Sequence, residues 1–191
     1  MKHHATELAG VVVIEPTIHH DDRGAFFESY NEQAFARAIG RSPRFVQSNQ
    51  SCSQAGVLRG LHYQVAPHEQ AKLVRVVHGS AFDVAVDLRP ASPTYLRWTA
   101  AELSAANRLQ LWIPEGFAHG FLALEDDTVL LYQTTDYWSR PAERCIAWDD
   151  PALGIGWPLT RPPILSDKDR AALPAAAVLA AETETKSNSR D

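Results

Sequence analysis

Lys72-Leu73-Val74-Arg75-Val76-Val77-His78-Gly79-Ser80-Ala81-Phe82-Asp83-Val84-Ala85-Val86-Asp87 is the stretch on which the fold turns. It holds two short runs rich in β-branched residues, Lys72 to His78 and Ala81 to Asp87, split by the turn signal His78-Gly79-Ser80. Each run is of strand length, and the Gly-Ser punctuation between them argues against one continuous helix. Outward from this pair the texture repeats. Val11 to Ile14, Phe26 to Tyr30, Phe45 to Ser51 and Val57 to Tyr63 precede it, and Tyr95 to Leu103, Leu109 to Ile113, Phe117 to Leu122 and Thr128 to Thr134 follow. Turn signals separate them: Asp22-Arg23-Gly24, Gln54-Ala55-Gly56, Ala91-Ser92-Pro93 and Glu125-Asp126-Asp127. Short strands at this spacing predict an all-β, mainly antiparallel, closed architecture. One early helix is expected over Glu32 to Ile39: Asn31 caps its start, Phe35 and Ile39 fall four apart, and Gly40 supplies a left-handed end. After Pro151 the chain becomes rich in Pro and Ala, and Ser166 is placed to cap a short helix over Asp167 to Ala172. Because Glu182 to Asp191 offers almost nothing apolar to bury, the expected organisation is a single domain over 1–170 and a partly disordered tail over 171–191. No repeat of solenoid or propeller length is visible.

At 191 residues and 21.1 kDa the chain is long enough for one core. Hydrophobic residues make up 45% and charged residues 21%, which excludes general disorder. A net charge of −5 lacks the footprint of a nucleic-acid binder, so no nucleic-acid partner is expected. The apolar stretch Ala9 to Ile14 falls far short of the roughly 20 residues of a membrane span and is too short for a signal-peptide core. The expected location is the cytoplasm, with no membrane association. Cys52 and Cys145 have neither CxxC spacing nor scaffold density and read as reduced, structural thiols.

Four segments carry residues suited to chemistry. Val57-Leu58-Arg59-Gly60-Leu61-His62-Tyr63-Gln64, with Gln70-Ala71-Lys72-Leu73-Val74-Arg75-Val76, puts an Arg, a His and a Lys on neighbouring strands. A period of two places Leu58, Gly60 and His62 on one face and Arg59, Leu61 and Tyr63 on the other. Lys72 shares a face with Val74 and Val76, which reads as core; it either lines a pocket or snorkels from a strand end, and His62 is either a pocket residue or a satisfied structural histidine. Ile113-Pro114-Glu115-Gly116-Phe117-Ala118-His119-Gly120-Phe121 has the PxGxxH spacing of the second cupin half-motif. In metal-binding cupins the first half-motif supplies an HxH pair, and here that pair would be His62 and Gln64. An amide oxygen is a poor replacement for imidazole, so the metal set is incomplete and no metal is assigned. Leu131-Tyr132-Gln133-Thr134-Thr135-Asp136-Tyr137-Trp138 offers a phenol at a strand end and aromatic faces that either close the core or stack on a base. Leu165-Ser166-Asp167-Lys168-Asp169 is, by itself, a charged helix start.

Taken in order, Asp22-Arg23-Gly24 with Phe27-Glu28, Gln47-Ser48-Asn49, Arg59 to Gln64, Lys72-Leu73-Val74, Phe82 to Arg89, Gly116 to Phe121, Trp148-Asp149-Asp150-Pro151 and Leu165 to Asp169 resemble the dTDP-4-dehydrorhamnose 3,5-epimerase family. The likeness runs from about Val11 to Asp169. It implies a cupin-like jelly-roll barrel with a few short peripheral helices. It also implies a homodimer, no cofactor, and a dTDP-4-keto-6-deoxy sugar as substrate, inverted at C3 and C5 on the way to L-rhamnose. By the same resemblance His62 matches the general base, Asp169 its paired carboxylate, Tyr132 the general acid and Lys72 the cation beside the C4 carbonyl oxygen. Arg23, Glu28, Gln47, Asn49, Arg59, His119, Glu143 and Lys168 match substrate contacts. Trp138 stands where the family stacks an aromatic ring, often Tyr, on thymine, keeping the π face without the hydroxyl.

These residue types suit that chemistry. C3 and C5 both flank the C4 ketone, so loss of either proton gives an enolate whose charge collects on one oxygen, and a single cation serves both steps. A neutral imidazole fixed by a carboxylate can take a carbon-bound proton near neutral pH. Inversion needs a second group on the opposite face, and a phenol donates without bringing a charge into an apolar pocket. Arg is favoured for a diphosphate because its planar fork matches phosphate oxygens. Three other readings share part of the pattern: an epimerase that inverts only C3 or only C5, a metal-dependent cupin, and a non-catalytic nucleotide-sugar binding module. The last has no use for His62, Lys72, Tyr132 and Asp169 together.

Overall fold

The structure is a computed structural model and describes residues 1–188. In chain order the elements are β1 (Lys2–Ala5), β2 (Val12–Glu15), β3 (His19–Asp21), β4 (Gly24–Phe26), α1 (Glu32–Ile39), β5 (Gln47–Ser53), β6 (Leu58–Gln64), β7 (Lys72–His78), β8 (Ser80–Asp87), β9 (Trp98–Ser104), β10 (Gln110–Ile113), β11 (Phe117–Ala123), β12 (Thr128–Thr134), β13 (Glu143–Cys145), α2 (Asp167–Arg170) and α3 (Ala175–Asn188). One sheet runs β1-β2-β10-β7-β12-β5 and a second β13-β6-β11-β8-β9, with β3 and β4 forming a separate hairpin. The ladders are antiparallel, as the sequence predicts, and the two sheets enclose a cupin-like jelly-roll core.

Period-2 alternation assigns the faces. Val74, Val76, Leu111, Ile113 and Leu130 of the first sheet meet Ala81, Ala85, Leu103, Phe117 and Phe121 of the second in one buried cluster. On the outside of the first sheet, α1 packs Phe35 against Trp112 with Tyr30 and Phe45 around it. Its ends are as expected: the Asn31 side chain accepts from the Ala34 N–H, and Gly40 sits at φ 75°. The outer face of the second sheet is covered by the segment bearing Ile146, Leu153 and Trp157 and by the start of α3. No helix among the described residues is long and apolar enough to cross a membrane.

Four features depart from the sequence reading. The run Phe26 to Tyr30 forms a strand only at its start, because Tyr30 turns inward onto Phe35 and Phe45. Strands β1 and β13 were not anticipated, since both are short, polar edge strands with no apolar alternation to announce them. Within the segment expected as a tail, α3 is helical over Ala175–Asn188. Ala175 is buried with its N–H on the Asp150 carboxylate at 2.6 Å, Val178 and Leu179 pack on the sheet, and the Tyr63 hydroxyl donates to Glu182. An Ala-rich stretch has strong helix propensity, and two apolar side chains near its start suffice to dock it. Residues 189–191 of that expected tail lie outside the described residues.

The fourth departure shapes the site. His119 of β11 faces His62 and Phe121 faces Arg59, so the single residue Gly120 on β11 opposes two, Gly60 and Leu61, on β6. This β-bulge shifts the phase of alternation. Arg59 and His62, which strict alternation puts on opposite faces, therefore both point inward, while Leu61 and Tyr63 pack in the outer cluster. Gly60 makes the bulge possible: its φ is +126°, and a Cβ there would lie 2.6 Å from the Gly120 Cα and 2.8 Å from the His119 carbonyl oxygen. Gly60→Ala is expected to lower stability by roughly 2–5 kcal/mol through backbone strain and overpacking. Gly156→Ala, which meets open space, should stay within about 0.5 kcal/mol. Chemical denaturation of the two variants checks this, and equal stabilities would contradict it.

Candidate active site

A cavity of about 740 Å³ opens at one end of the barrel, within the usual size of small-molecule sites. It receives Gln47 and Asn49 from β5, Arg59 and His62 from β6, Lys72 from β7, His119 from β11 and Tyr132 from β12. Trp138 follows β12, Glu143 lies on β13, and Lys168 and Asp169 come from α2. On β7 and β12 the inward face runs from Lys72 and Tyr132 at the cavity to Val74, Val76 and Leu130 in the core, so the cavity continues the core.

His62 Nε2 and Asp169 Oδ1 are 2.6 Å apart, and the carboxylate is almost wholly buried. Ser166, the cap of α2, donates its hydroxyl to Asp169 Oδ2 at 2.7 Å and accepts from the Asp169 N–H. Burial by itself raises the Asp169 pKa, but hydrogen bonds from His62, Ser166 and the Gly60 N–H outweigh it and hold the carboxyl below its ordinary range. Burial likewise lowers the His62 pKa, only partly opposed by the bond to Asp169. The imidazole is thus neutral at neutral pH, with Nε2–H donating to the carboxylate and a lone pair on Nδ1.

Lys72 does not snorkel. Its side chain is 7% exposed, with Nζ donating to the His62 carbonyl oxygen at 3.3 Å and lying 5.9 Å from the Tyr132 ring centre. Among the described residues no carboxylate lies within salt-bridge distance of it. Burial lowers its pKa to about 8, with the charges of Asp83 and Glu143 opposing and that of Lys168 adding to the shift. Tyr132 sits on the sheet facing His62, and burial, then Glu143, raises its pKa, so the phenol keeps its proton.

The remaining residues form a polar wall and a rim. His119 Nε2 meets both oxygens of Asp83 at 2.9–3.0 Å, and both residues are buried. Arg59 is anchored by Ser53 Oγ and the Cys52 carbonyl. Gln47 donates to Asn49 and accepts from the Trp138 N–H, and Lys168 pairs with Glu143 at 2.9 Å. Trp138 is 54% exposed at the mouth, leaving its ring face open to a ligand. Gln64, at the place of a metal cupin's second histidine, commits its amide to backbone: Nε2 donates to the carbonyls of His68 and Tyr137, and Oε1 accepts from the Ser139 N–H. It holds the Trp138 loop.

Eleven of the residues singled out in the sequence share this cavity: His62, Tyr132, Asp169, Lys72, Gln47, Asn49, Arg59, His119, Trp138, Glu143 and Lys168. Arg23 and Glu28 do not: Arg23 projects from the β3–β4 hairpin and pairs with Asp21, and Glu28 bonds Asn31. Three neighbours had no role in the sequence reading. Ser166 was read only as a cap. Asp83 lay inside a quoted motif, and its signal was an acidic residue between inward Ala81 and Ala85. Cys145 Sγ lies 3.7 Å from Asp169 Oδ1, and burial, then that carboxylate, pushes the thiol up to about 12. Both cysteines are free.

The dTDP-4-dehydrorhamnose 3,5-epimerase family model matches residues 5–176. A Pseudomonas aeruginosa dTDP-4-dehydrorhamnose 3,5-epimerase is 55% identical over 168 residues, covering 87% of this chain and 92% of that protein. The crystal structure of the Legionella pneumophila dTDP-6-deoxy-D-glucose-3,5-epimerase in complex with dTDP-4-keto-L-rhamnose aligns with TM-score 0.87 at 46% identity, covering 91% of this chain and 92% of that one. The Mycobacterium tuberculosis rmlC epimerase aligns with TM-score 0.92 at 43% identity over 95% and 92%.

The electrostatics of the cavity can be titrated directly by NMR. His62 is expected to gain its proton at a pH below the ordinary imidazole value, and Lys72 to lose its proton near pH 8. The Asp83 charge favours the ammonium, so Asp83→Asn should move the Lys72 midpoint to lower pH. An unchanged or higher midpoint would show that Asp83 does not act on Lys72.

Proposed function

The chain belongs to the dTDP-4-dehydrorhamnose 3,5-epimerase family, and on that premise we propose that it inverts C3 and C5 of dTDP-4-dehydro-6-deoxy-D-glucose to give dTDP-4-dehydro-β-L-rhamnose, in dTDP-L-rhamnose biosynthesis. The observation that carries this reading is the disposition of three groups in one cavity. A neutral imidazole on a buried carboxylate stands on one sheet, a protonated phenol stands on the other, and a buried ammonium lies beside both. A sugar ring held between the sheets offers its two faces to the imidazole and the phenol.

In this mechanism His62 Nδ1 takes the proton from C3 or C5, and Asp169 steadies the resulting imidazolium. The electron pair of the broken C–H bond moves into the enolate, whose oxygen at C4 is stabilised by Lys72. Tyr132 then delivers its proton to the same carbon from the other face and regains one from solvent, while the imidazolium releases its proton to solvent. No electrons are lost or gained overall, so the reaction calls for no redox cofactor, and Lys72 supplies the positive charge at the C4 oxygen. Trp138 stacks on the thymine and Arg59 meets the diphosphate, with Gln47, Asn49, His119, Glu143 and Lys168 completing the substrate contacts.

The acting form is a homodimer in this reading. Arg23 and Glu28 lie away from their own cavity, and Phe26, between them in sequence, is 70% exposed. An exposed aromatic flanked by substrate-binding residues suits a hairpin that reaches into a second copy's cavity. Two free thiols and the lack of a membrane-spanning helix among the described residues support a cytoplasmic setting.

Two experiments test the proposal. In deuterated water the wild-type protein should place deuterium at both C3 and C5 of the product. Tyr132→Phe should label recovered substrate faster than it forms product, because deprotonation survives while the opposite-face donor is gone. Label at only one carbon would mark a mono-epimerase, and normal turnover of Tyr132→Phe would remove that residue from the mechanism. Separately, Arg23→Ala and His62→Ala should each be inactive alone, whereas co-expressed at equal levels they should recover about a quarter of wild-type activity, half the dimers then holding one intact site. No recovery would place Arg23 in its own protomer's site or outside the mechanism.

A further inference from the structure

Cys145 is a half-buried nucleophilic group that the mechanism above leaves unused. It is the cross-strand partner of His62 on β13 and β6, so the two side chains stand beside each other. Its sulfur also approaches the carboxylate that orients that histidine. A ring nitrogen of His62, Cys145 Sγ and one Asp169 oxygen all lie within 4.8 Å of one another. An imidazole nitrogen, a thiolate and a carboxylate oxygen are the donor set of a soft or borderline divalent cation such as Zn²⁺ or Cd²⁺.

We propose that His62, Cys145 and Asp169 form a binding site for a thiophilic divalent cation that reversibly blocks the enzyme from behind its general base. The geometry is close to what such an ion requires. Tetrahedral bond lengths place a zinc-bound sulfur and oxygen about 3.6 Å apart, and a nitrogen and oxygen about 3.4 Å apart. The Sγ–Oδ1 separation is already 3.7 Å, while the Nε2–Oδ1 separation of 2.6 Å must open as the ion replaces the shared proton. Ser166, donating to Asp169 Oδ2, leaves Oδ1 free for the ion and holds the carboxylate in place, as an outer-shell partner does. Three protein ligands leave a fourth position for water.

The consequence follows from the imidazole. A neutral ring has one lone pair; once the ion takes it at Nε2, the ring proton resides on Nδ1, the atom that must accept the substrate's proton. The thiol proton goes to solvent, and thiolate plus carboxylate balance the charge of the ion. The residues assigned to the nucleotide keep their places, so substrate binds but is not deprotonated. This blocking step rests on the reading of His62 as the base, whereas the site itself does not.

The test separates the two. In protein carrying Cys52→Ser, so that Cys145 is the remaining thiol, titration with Cd²⁺ should produce the ultraviolet thiolate-to-cadmium charge-transfer band, saturating at one equivalent. Zn²⁺ should lower kcat with little change in KM, and a chelator should restore the rate. Adding Cys145→Ser should leave turnover in metal-free buffer near its original level, abolish the band, and raise the Zn²⁺ concentration for half-inhibition roughly tenfold or more. Absence of the band, or equal inhibition of protein lacking Cys145, overturns the proposal. A saturating band with unimpaired turnover supports the site and overturns the assignment of His62 as base.

Discussion

The backbone of Gly60 lies against the backbone of Gly120 more closely than any side chain permits, and the geometry of the cavity descends from that contact. Neither strand carries a Cβ where they cross, so β6 can take up one extra residue against β11. The extra residue resets the alternation of faces. Arg59 then joins His62 in the cavity while Leu61 and Tyr63 keep the outer cluster intact. Without the bulge a cationic side chain would be driven into the apolar layer under α3, or His62 out of the cavity. The Gly60 N–H also bonds Asp169, so the same contact supports the carboxylate that orients His62.

Charge is the second constraint. Lys72, Asp83 and Asp169 are all buried in the cavity walls, where an unpaired charge is costly. Each carboxylate is held by a histidine from the β6–β11 pair, and Lys72, with no carboxylate in contact among the described residues, is balanced across the cavity by Asp83 and Glu143. A cation bonded to a neutral carbonyl rather than to a carboxylate is free to meet charge that develops on a substrate, which is what an enolate oxygen requires. The same low-dielectric wall keeps the Tyr132 phenol protonated and His62 neutral, the states in which one can donate and the other accept.

The rim is built differently. Trp138 is positioned through its backbone by Gln47 and through its loop by Gln64, which leaves the ring face open. Gln64 thereby shows what replaces the second metal-ligand position of a cupin: an amide can grip three backbone groups at once, a task a neutral imidazole cannot match.

Local chemistry made much of this legible in the sequence. Strand runs such as Lys72 to His78 and Thr128 to Thr134 coincide with β7 and β12, because their alternation and bounding turns are local properties. The bounds of α1 follow from its Asn31 and Gly40 caps for the same reason. The cavity residues were recognisable as a set through the order of their motifs. What the sequence left open depended on contacts between distant segments. Whether Lys72 snorkels or faces inward turned on the sheet packed opposite it. The phase of β6 turned on a close approach to β11, and the docking of α3 on a sheet face made by strands far earlier in the chain. Polar edge strands β1 and β13 carry no periodic signal and exist only because a neighbour offers a ladder. Arg23 and Glu28 show the limit from the other side, since their motif placed them with the site and the folded chain holds them apart from its own cavity. Residue chemistry, turn signals and hydrophobic period are written along the chain. Which face a side chain takes, and which charge balances which, are decided by the partner surface that only the tertiary structure brings into contact.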